Sequence, residues 1–333
     1  MMQAIDSDFV FALTNPGSEK ALKLEVEMAE PGWRLSYQRR GFVTFKKDGV
    51  FTLDSLEVEA ACARRLCLSL GKSATRELAV QQIVDQLGRV PVIQHARFHE
   101  RAMQAVPDQD SGEALRVGDV LGTVVELGEG EYWSGLHRHG KWLSPYPAGD
   151  AGVVMPAESP SRAWLKLEEA VRFFGLKFSA ADLVVELGCA PGGVVLALLE
   201  RGVPVIGVDP AKMADCVMAS AIPERAAAVA GKAWFYHCRK PAALVGKRDL
   251  GLGVTWFMSD MNQSPEVVLK ECARFCKMAP TIRGVLITLK LTDLLQVAEK
   301  QQWMDSLAGM GFKTVRLQQL SVHHKEFALL AMR

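Results

Sequence analysis

The sequence predicts an α/β chain, with a mostly parallel, doubly wound sheet in its C-terminal half and an α+β region before it. Three observations predict this. From Asp182 onward, short apolar runs alternate with stretches of helical period. The first of these runs, Leu183 to Leu187, breaks into Gly188, Gly192 and Gly193 and then resumes as apolar Val194 to Leu199, the strand, tight turn and helix that open a nucleotide-type site. Ahead of residue 60 the pattern is strand, helix, strand, strand.

In order along the chain, Phe9 to Leu13 is an apolar run and Asn15-Pro16-Gly17-Ser18 is a turn and helix start. Leu22, Val26 and Ala29 then recur at helical spacing, while Leu35 to Tyr37 and Gly41 to Phe45 predict a hairpin. Two helical patterns follow, Leu53, Leu56 and Ala60, then Leu78, Ile83, Val84 and Leu87. Val117 to Leu121, Gly122 to Leu127 and Tyr132 to Leu136 are short strand-like runs, and Pro145-Tyr146-Pro147-Ala148-Gly149 marks a linker or loop.

Ser159-Pro160 predicts a helix start, a capping side chain before a proline at the first helical position. Trp164, Leu167, Val171 and Phe174 form its buried stripe, and Lys166, Glu169 and Arg162 lie off that stripe. Later strands are expected at Ala233 to His237, Trp256 to Ser259, Gly284 to Leu289, Thr314 to Leu317 and Phe327 to Met332, with helices near 194–201, 264–278 and 294–309.

A length of 333 residues allows two or three domains, and 49% hydrophobic with 23% charged residues is ordinary for a globular chain. Asp6 and Asp8 interrupt any early apolar segment, and no 18-residue uncharged apolar stretch occurs, so a cytoplasmic chain with no membrane partner is expected. Seven scattered cysteines without Cys-x-x-Cys spacing argue against a zinc site, and Cys272 and Cys276, one helical turn apart, are expected in the core. A net charge of +1 means that any nucleic-acid partner must be met by local patches. The candidate patches are Arg34, Arg39, Arg40, Lys46 and Lys47; Arg64 and Arg65; Arg97 and Arg101; and Arg138, His139 and Lys141, with Tyr37, Trp133, Trp142 and Tyr146 interleaved.

The spacing Gly188-x-x-x-Gly192-Gly193, with Pro191 inside the turn, is not the Gly-x-Gly-x-x-Gly of a dinucleotide site and argues against NAD. Ligands in such sheets bind beyond the carboxyl ends of the strands. That rule turns Asp260, after Trp256 to Ser259, and Lys290, after Val285 to Leu289, toward the glycine loop. Asp209 closes the run Val203 to Val208, 23 residues beyond Glu186, and is the candidate for a ligand's ribose hydroxyls. The rule does not place Lys166 or Glu326.

Glu186, Ala190-Pro191-Gly192-Gly193 and Asp209 together resemble S-adenosylmethionine (SAM)-dependent methyltransferases of the FtsJ type, which act on RNA ribose 2′-hydroxyls. The helix Pro160 to Ala170, Ser259-Asp260-Met261, Leu289-Lys290-Leu291 and the Glu326 region are similar to the RlmM family of 23S rRNA cytidine 2′-O-ribose methyltransferases. The resemblance implies a Lys-Asp-Lys-Glu tetrad of Lys166, Asp260, Lys290 and Glu326, with Lys290 as base. It also implies a donor site of Glu186, Gly188, Cys189, Ala190, Pro191, Gly192, Gly193, Asp209 and Asp260, in which Glu186 either touches the donor or orients the loop. No metal is required. A ferredoxin-like unit (1–74), a shortened THUMP-like unit (75–154) and a Rossmann-like methyltransferase unit (155–333) are implied, with 23S rRNA as partner and the oligomeric state open. The family's opening unit is matched by Leu13 to Lys20 and Gly41-Phe42-Val43. At Cys238-Arg239-Lys240 the acid expected to contact the donor's adenine is missing. Methylation of a different RNA, and a catalytically silent RNA-binding assembly factor, are the competing expectations. His323 and His324 are assigned to RNA or solvent contact.

Overall fold

A computed structural model describes residues 5–99, 102–106, 115–224 and 232–333. The chain divides into two units, Met1–Gly152 with Gln319–His324, and Val153–Gln318 with Lys325–Arg333.

The first unit runs β1 (Asp6–Leu13), α1 (Glu19–Ala29), β2 (Arg34–Arg39), β3 (Phe42–Thr52), β4 (Arg65–Ser73), α2 (Arg76–Leu87), β5 (Ile93–His99), β6 (Ala102–Val106), β7 (Val120–Gly128) and β8 (Glu131–Arg138). The strands form one sheet in the order β2-β3-β1-β4-β8-β7-β5-β6, antiparallel except for β5 against β7. Phe11, Leu13, Phe42, Cys67 and Val125 are fully buried in its core, and the Phe11 and Phe42 rings stack at 5.2 Å. Asn15 Nδ2 donates to the carbonyls of Leu320 and His323, each at 2.8 Å, which secures residues 319–324 in this unit.

The helix expected through Leu53, Leu56 and Ala60 is only a 3-10 turn, Leu53–Ser55. Beyond it, the amides of Ala61 and Cys62 are taken by the carboxylate of Glu25, both at 2.8 Å, instead of by a helical ladder.

The second unit runs α3 (Ala163–Phe174), β9 (Val184–Leu187), α4 (Gly193–Glu200), β10 (Val205–Val208), α5 (Asp215–Met218), β11 (Phe235–Cys238), α6 (Lys247–Leu250), β12 (Trp256–Ser259), α7 (Pro265–Met278), β13 (Gly284–Lys290), α8 (Lys300–Ala308), β14 (Thr314–Gln318) and β15 (Glu326–Met332). Helix α3 starts three residues later than Ser159-Pro160 suggested. The Ser159 hydroxyl donates to the Ser161 carbonyl (3.0 Å), so it is not a cap, and Arg162 occupies the cap position.

The sheet order is β11-β10-β9-β12-β13-β15-β14, with every pairing parallel except those of β15. Central strands of a covered parallel sheet are buried on both faces, and all four residues of β9, β10 and β12 are buried. The chain winds outward from β9 through β10 to β11, then returns to β12 on the other side of β9. The sheet's switch point is therefore the crevice beyond the carboxyl ends of β9 and β12, where such folds hold ligands.

Candidate active site

Two turns meet at that crevice. Gly188, after β9, has φ +74°, and a Cβ there would stand 2.9 Å from Met261 Cα in the turn after β12. Only glycine combines that backbone with that approach. Asp209, after β10, steadies the glycine turn: its Oδ2 accepts from the Ala190 amide (3.2 Å) and its Oδ1 from the Ala211 amide (2.8 Å). His237 Nε2, on β11, donates to the Asp209 carbonyl at 2.9 Å, a contact that no motif or spacing in the chain foretells. The Cys189 thiol is buried and donates to Met213 Sδ at 3.7 Å.

Lys166, Asp260, Lys290 and Glu326 come together on the same rim. Lys166 Nζ donates to Glu326 Oε1 at 2.9 Å and to Asp260 Oδ1 at 3.1 Å. Lys290 Nζ is 3.3 Å from the same Asp260 Oδ1 and donates to the Asp260 carbonyl at 2.7 Å. Their side chains are only 13–22% exposed, so screening by water is reduced.

The topology explains the two residues that the strand-end rule missed. Because β15 is antiparallel to β13, its first residue lies where β13 ends, and Glu326 is the register partner of Lys290. Helix α3 carries Lys166 to the rim from before the sheet. Its neighbours depart from the expected wet face: Glu168 and Glu169 are both buried, and Glu168 Oε2 accepts from Arg201 at 2.6 Å.

Glu186 sits on β9 just before the glycine turn and is 1% exposed. Its Oε2 has no hydrogen-bond partner. Burial first, then the charges of Asp260 and Asp209, push its carboxyl well above the usual carboxylate range. Four acids (Glu186, Asp209, Asp260, Glu326) thus lie at this crevice with two lysines.

Elsewhere, four of the expected phosphate-gripping groups form ion pairs within the first unit, one of them on an acid shared with Lys72. Arg34 pairs with Asp48, Arg39 and Lys72 with Glu131, Arg97 with Glu126 and Arg138 with Asp54. Arg64 and Arg65 are buried and so cannot face a polyanion. His323 is buried as well, which corrects its assignment to RNA or solvent contact, whereas His324 is exposed. Arg101 lies outside the described residues. Among the described residues there is no cluster of three His, Cys, Asp or Glu able to hold a metal ion, and no helix long and apolar enough to cross a membrane.

A seven-stranded sheet of this order with one reversed strand, a glycine turn after its first strand and an acid after its second, define a Rossmann-like methyltransferase domain. Residues 160–231 match the FtsJ-like methyltransferase family.

The chain is similar to proteins named Ribosomal RNA large subunit methyltransferase M, which bears out the resemblance drawn from its motifs. That of Thauera aminoaromatica is 30% identical over 240 residues, covering 69% of this chain and 61% of that protein. That of Azoarcus sp. (strain BH72) is 28% identical, covering 55% and 48%, and that of Xanthomonas campestris pv. campestris (strain B100) is 29% identical, covering 57% and 52%. The chain spans about half to three fifths of the length of these relatives.

Proposed function

We propose that the second unit transfers a methyl group from SAM to a ribose 2′-hydroxyl of RNA, a cytidine of 23S rRNA, in the cytoplasm. The observation that carries this reading is the convergence of Lys166, Asp260, Lys290 and Glu326 beside the glycine turn. The names of the relatives supply the substrate class.

In this reading Gly188, Cys189, Ala190, Pro191, Gly192 and Gly193 let backbone approach the donor, and Asp209 takes its ribose hydroxyls. The orphaned buried carboxyl of Glu186 fits a ligand that carries positive charge. When bound, the donor supplies an electrophilic methyl on a sulfonium centre.

The chain's own groups then manage the hydroxyl. Lys290 Nζ takes the 2′-hydroxyl proton as the oxygen gains the methyl; such a base typically contributes about 10²–10⁴-fold. Asp260 orients Lys290 through both its carboxylate and its carbonyl. Lys166, tied to Glu326, fixes Asp260. Alignment of hydroxyl and methyl supplies much of the remaining acceleration. No step needs a metal.

The first unit is assigned a ferredoxin-like part (1–74) and a shortened THUMP-like part (75–154) that hold RNA, ahead of the catalytic unit (155–333). Exposed Arg40 and Lys46, with Lys47 over Phe51 and Lys141 over Trp142, are the groups left for phosphates and unpaired bases.

The test is tritiated methyl transfer to rRNA from cells lacking the enzyme, with the mark mapped to the ribose. Transfer to another RNA alone would change the substrate, and none at all from properly folded protein would leave an assembly factor.

A further inference from the structure

We propose that Glu186 is a proton-exchanging cation subsite: its carboxyl carries a proton in the ligand-free protein and releases it when a cationic group of the methyl donor settles beside it. This rests on the donor-site reading above and deepens it.

Glu186 lies on the central strand, between Gly207 of β10 and Met258 of β12 in register, and neither neighbour has a side chain that donates a hydrogen bond to a carboxylate. The titratable groups around it are Asp209 from beyond β10, Asp260 from beyond β12 and Cys189 from its own turn. Lys166 from α3 and Lys290 from β13 are both held by Asp260. Among the described residues no cation pairs with Glu186, and its Oε2 is both buried and unpartnered.

A lone carboxylate removed from water neutralises itself by taking a proton. The upward displacement of this carboxyl, by burial and by Asp260 and Asp209, accords with that state. A cation beside it reverses the preference. The O–H bond breaks, the proton passes to buffer, and the carboxylate left behind pairs with the ligand, so charge balances at each stage. An uncharged ligand of the same shape gains nothing from this exchange, so the subsite selects for the charged donor.

Calorimetric titration of the protein with SAM, at one pH in buffers of different ionisation heat, reads the proton directly. The expected result is a release of up to about one proton per donor bound, and donor affinity that rises with pH, both lost in Glu186→Gln. S-adenosylhomocysteine serves as the second probe. Release with SAM alone assigns the subsite to the sulfonium, release with both assigns it to the ammonium, and either supports the proposal. A protonated-carboxyl band in the infrared spectrum of the ligand-free protein, missing from Glu186→Gln, supports it without any ligand. SAM binding with no proton release, or with the same release in Glu186→Gln, overturns it while leaving the donor site standing. Absence of SAM binding in every buffer instead removes the donor-site reading and this proposal with it.

Discussion

At the amino end of the seven-stranded sheet, Asp182 is 2% exposed and fully matched: it accepts from Arg283 (2.6 Å), Thr255 Oγ1 (2.9 Å) and the Ser179 amide (3.1 Å). At the carboxyl end, one carboxylate, Asp260, is divided between two lysines, and another, Glu186, has no partner on Oε2. Both ends contain buried acids, but only the carboxyl end leaves a carboxyl oxygen without a partner. A matched set holds two strand ends together, whereas buried groups left partly unmatched mark a candidate functional cleft.

The sharpest way to break this contrast is Lys290→Ala. Methyl transfer is expected to fall about 10²–10⁴-fold, with donor affinity little changed, as read by tritium incorporation and calorimetry. A loss smaller than about tenfold would remove Lys290 from the chemistry.

Asp209→Ala tests the donor side of the same rim. Loss of hydrogen bonds to a charged group corresponds to a donor affinity about 10–100-fold weaker. Unchanged affinity in the calorimeter rejects its assignment.

The amino end should respond in stability rather than in chemistry. Asp182→Asn is expected to cost about 1.5–3 kcal/mol, measured by urea unfolding at neutral pH. Burial pushes the Asp182 carboxyl up, but bonds from Arg283, Thr255 and the Ser179 amide outweigh it and hold the group below its ordinary value. A depressed carboxyl stabilises the fold above the unfolded value of about 3.9 and loses that contribution as pH falls. The gap between wild type and variant should therefore close on acidification below about pH 4; a gap independent of pH would count against the pairing.

The smallest effect is expected at Gly284, where an added Cβ would meet the Trp256 ring at 2.5 Å. Gly284→Ala should cost roughly 1–3 kcal/mol by overpacking. Methyl transfer per folded molecule should stay the same, and a large fall would mean that the two ends are coupled.

Much of the carboxyl rim was legible because its parts obey local rules. Gly188 to Gly193 breaks an apolar run, and Asp260 and Lys290 follow short apolar strands, so pattern and strand direction sufficed. Glu326 followed no such rule because the direction of β15 is a property of the whole sheet. Lys166 is set by where α3 docks, which its periodicity does not encode. The basic clusters were legible only in part for a related reason: a run of arginines in sequence does not reveal that Arg64 and Arg65 are buried or that Glu131 lies across from Arg39 and Lys72. The false helix after Leu53 had the right spacing, but Glu25, 36 residues earlier, had already claimed the Ala61 amide.

The rung that joins Lys290 to Glu326 also limits how the C-terminal strand can vary. Side chains alternate across a strand, so a slip of β15 by one place would send Glu326 to the opposite face and move Phe327, now fully enclosed, out of its site in the core. The aromatic ring thus guards the alignment of the acid: any variant that misplaces the carboxylate by shifting register must first empty a space in the core.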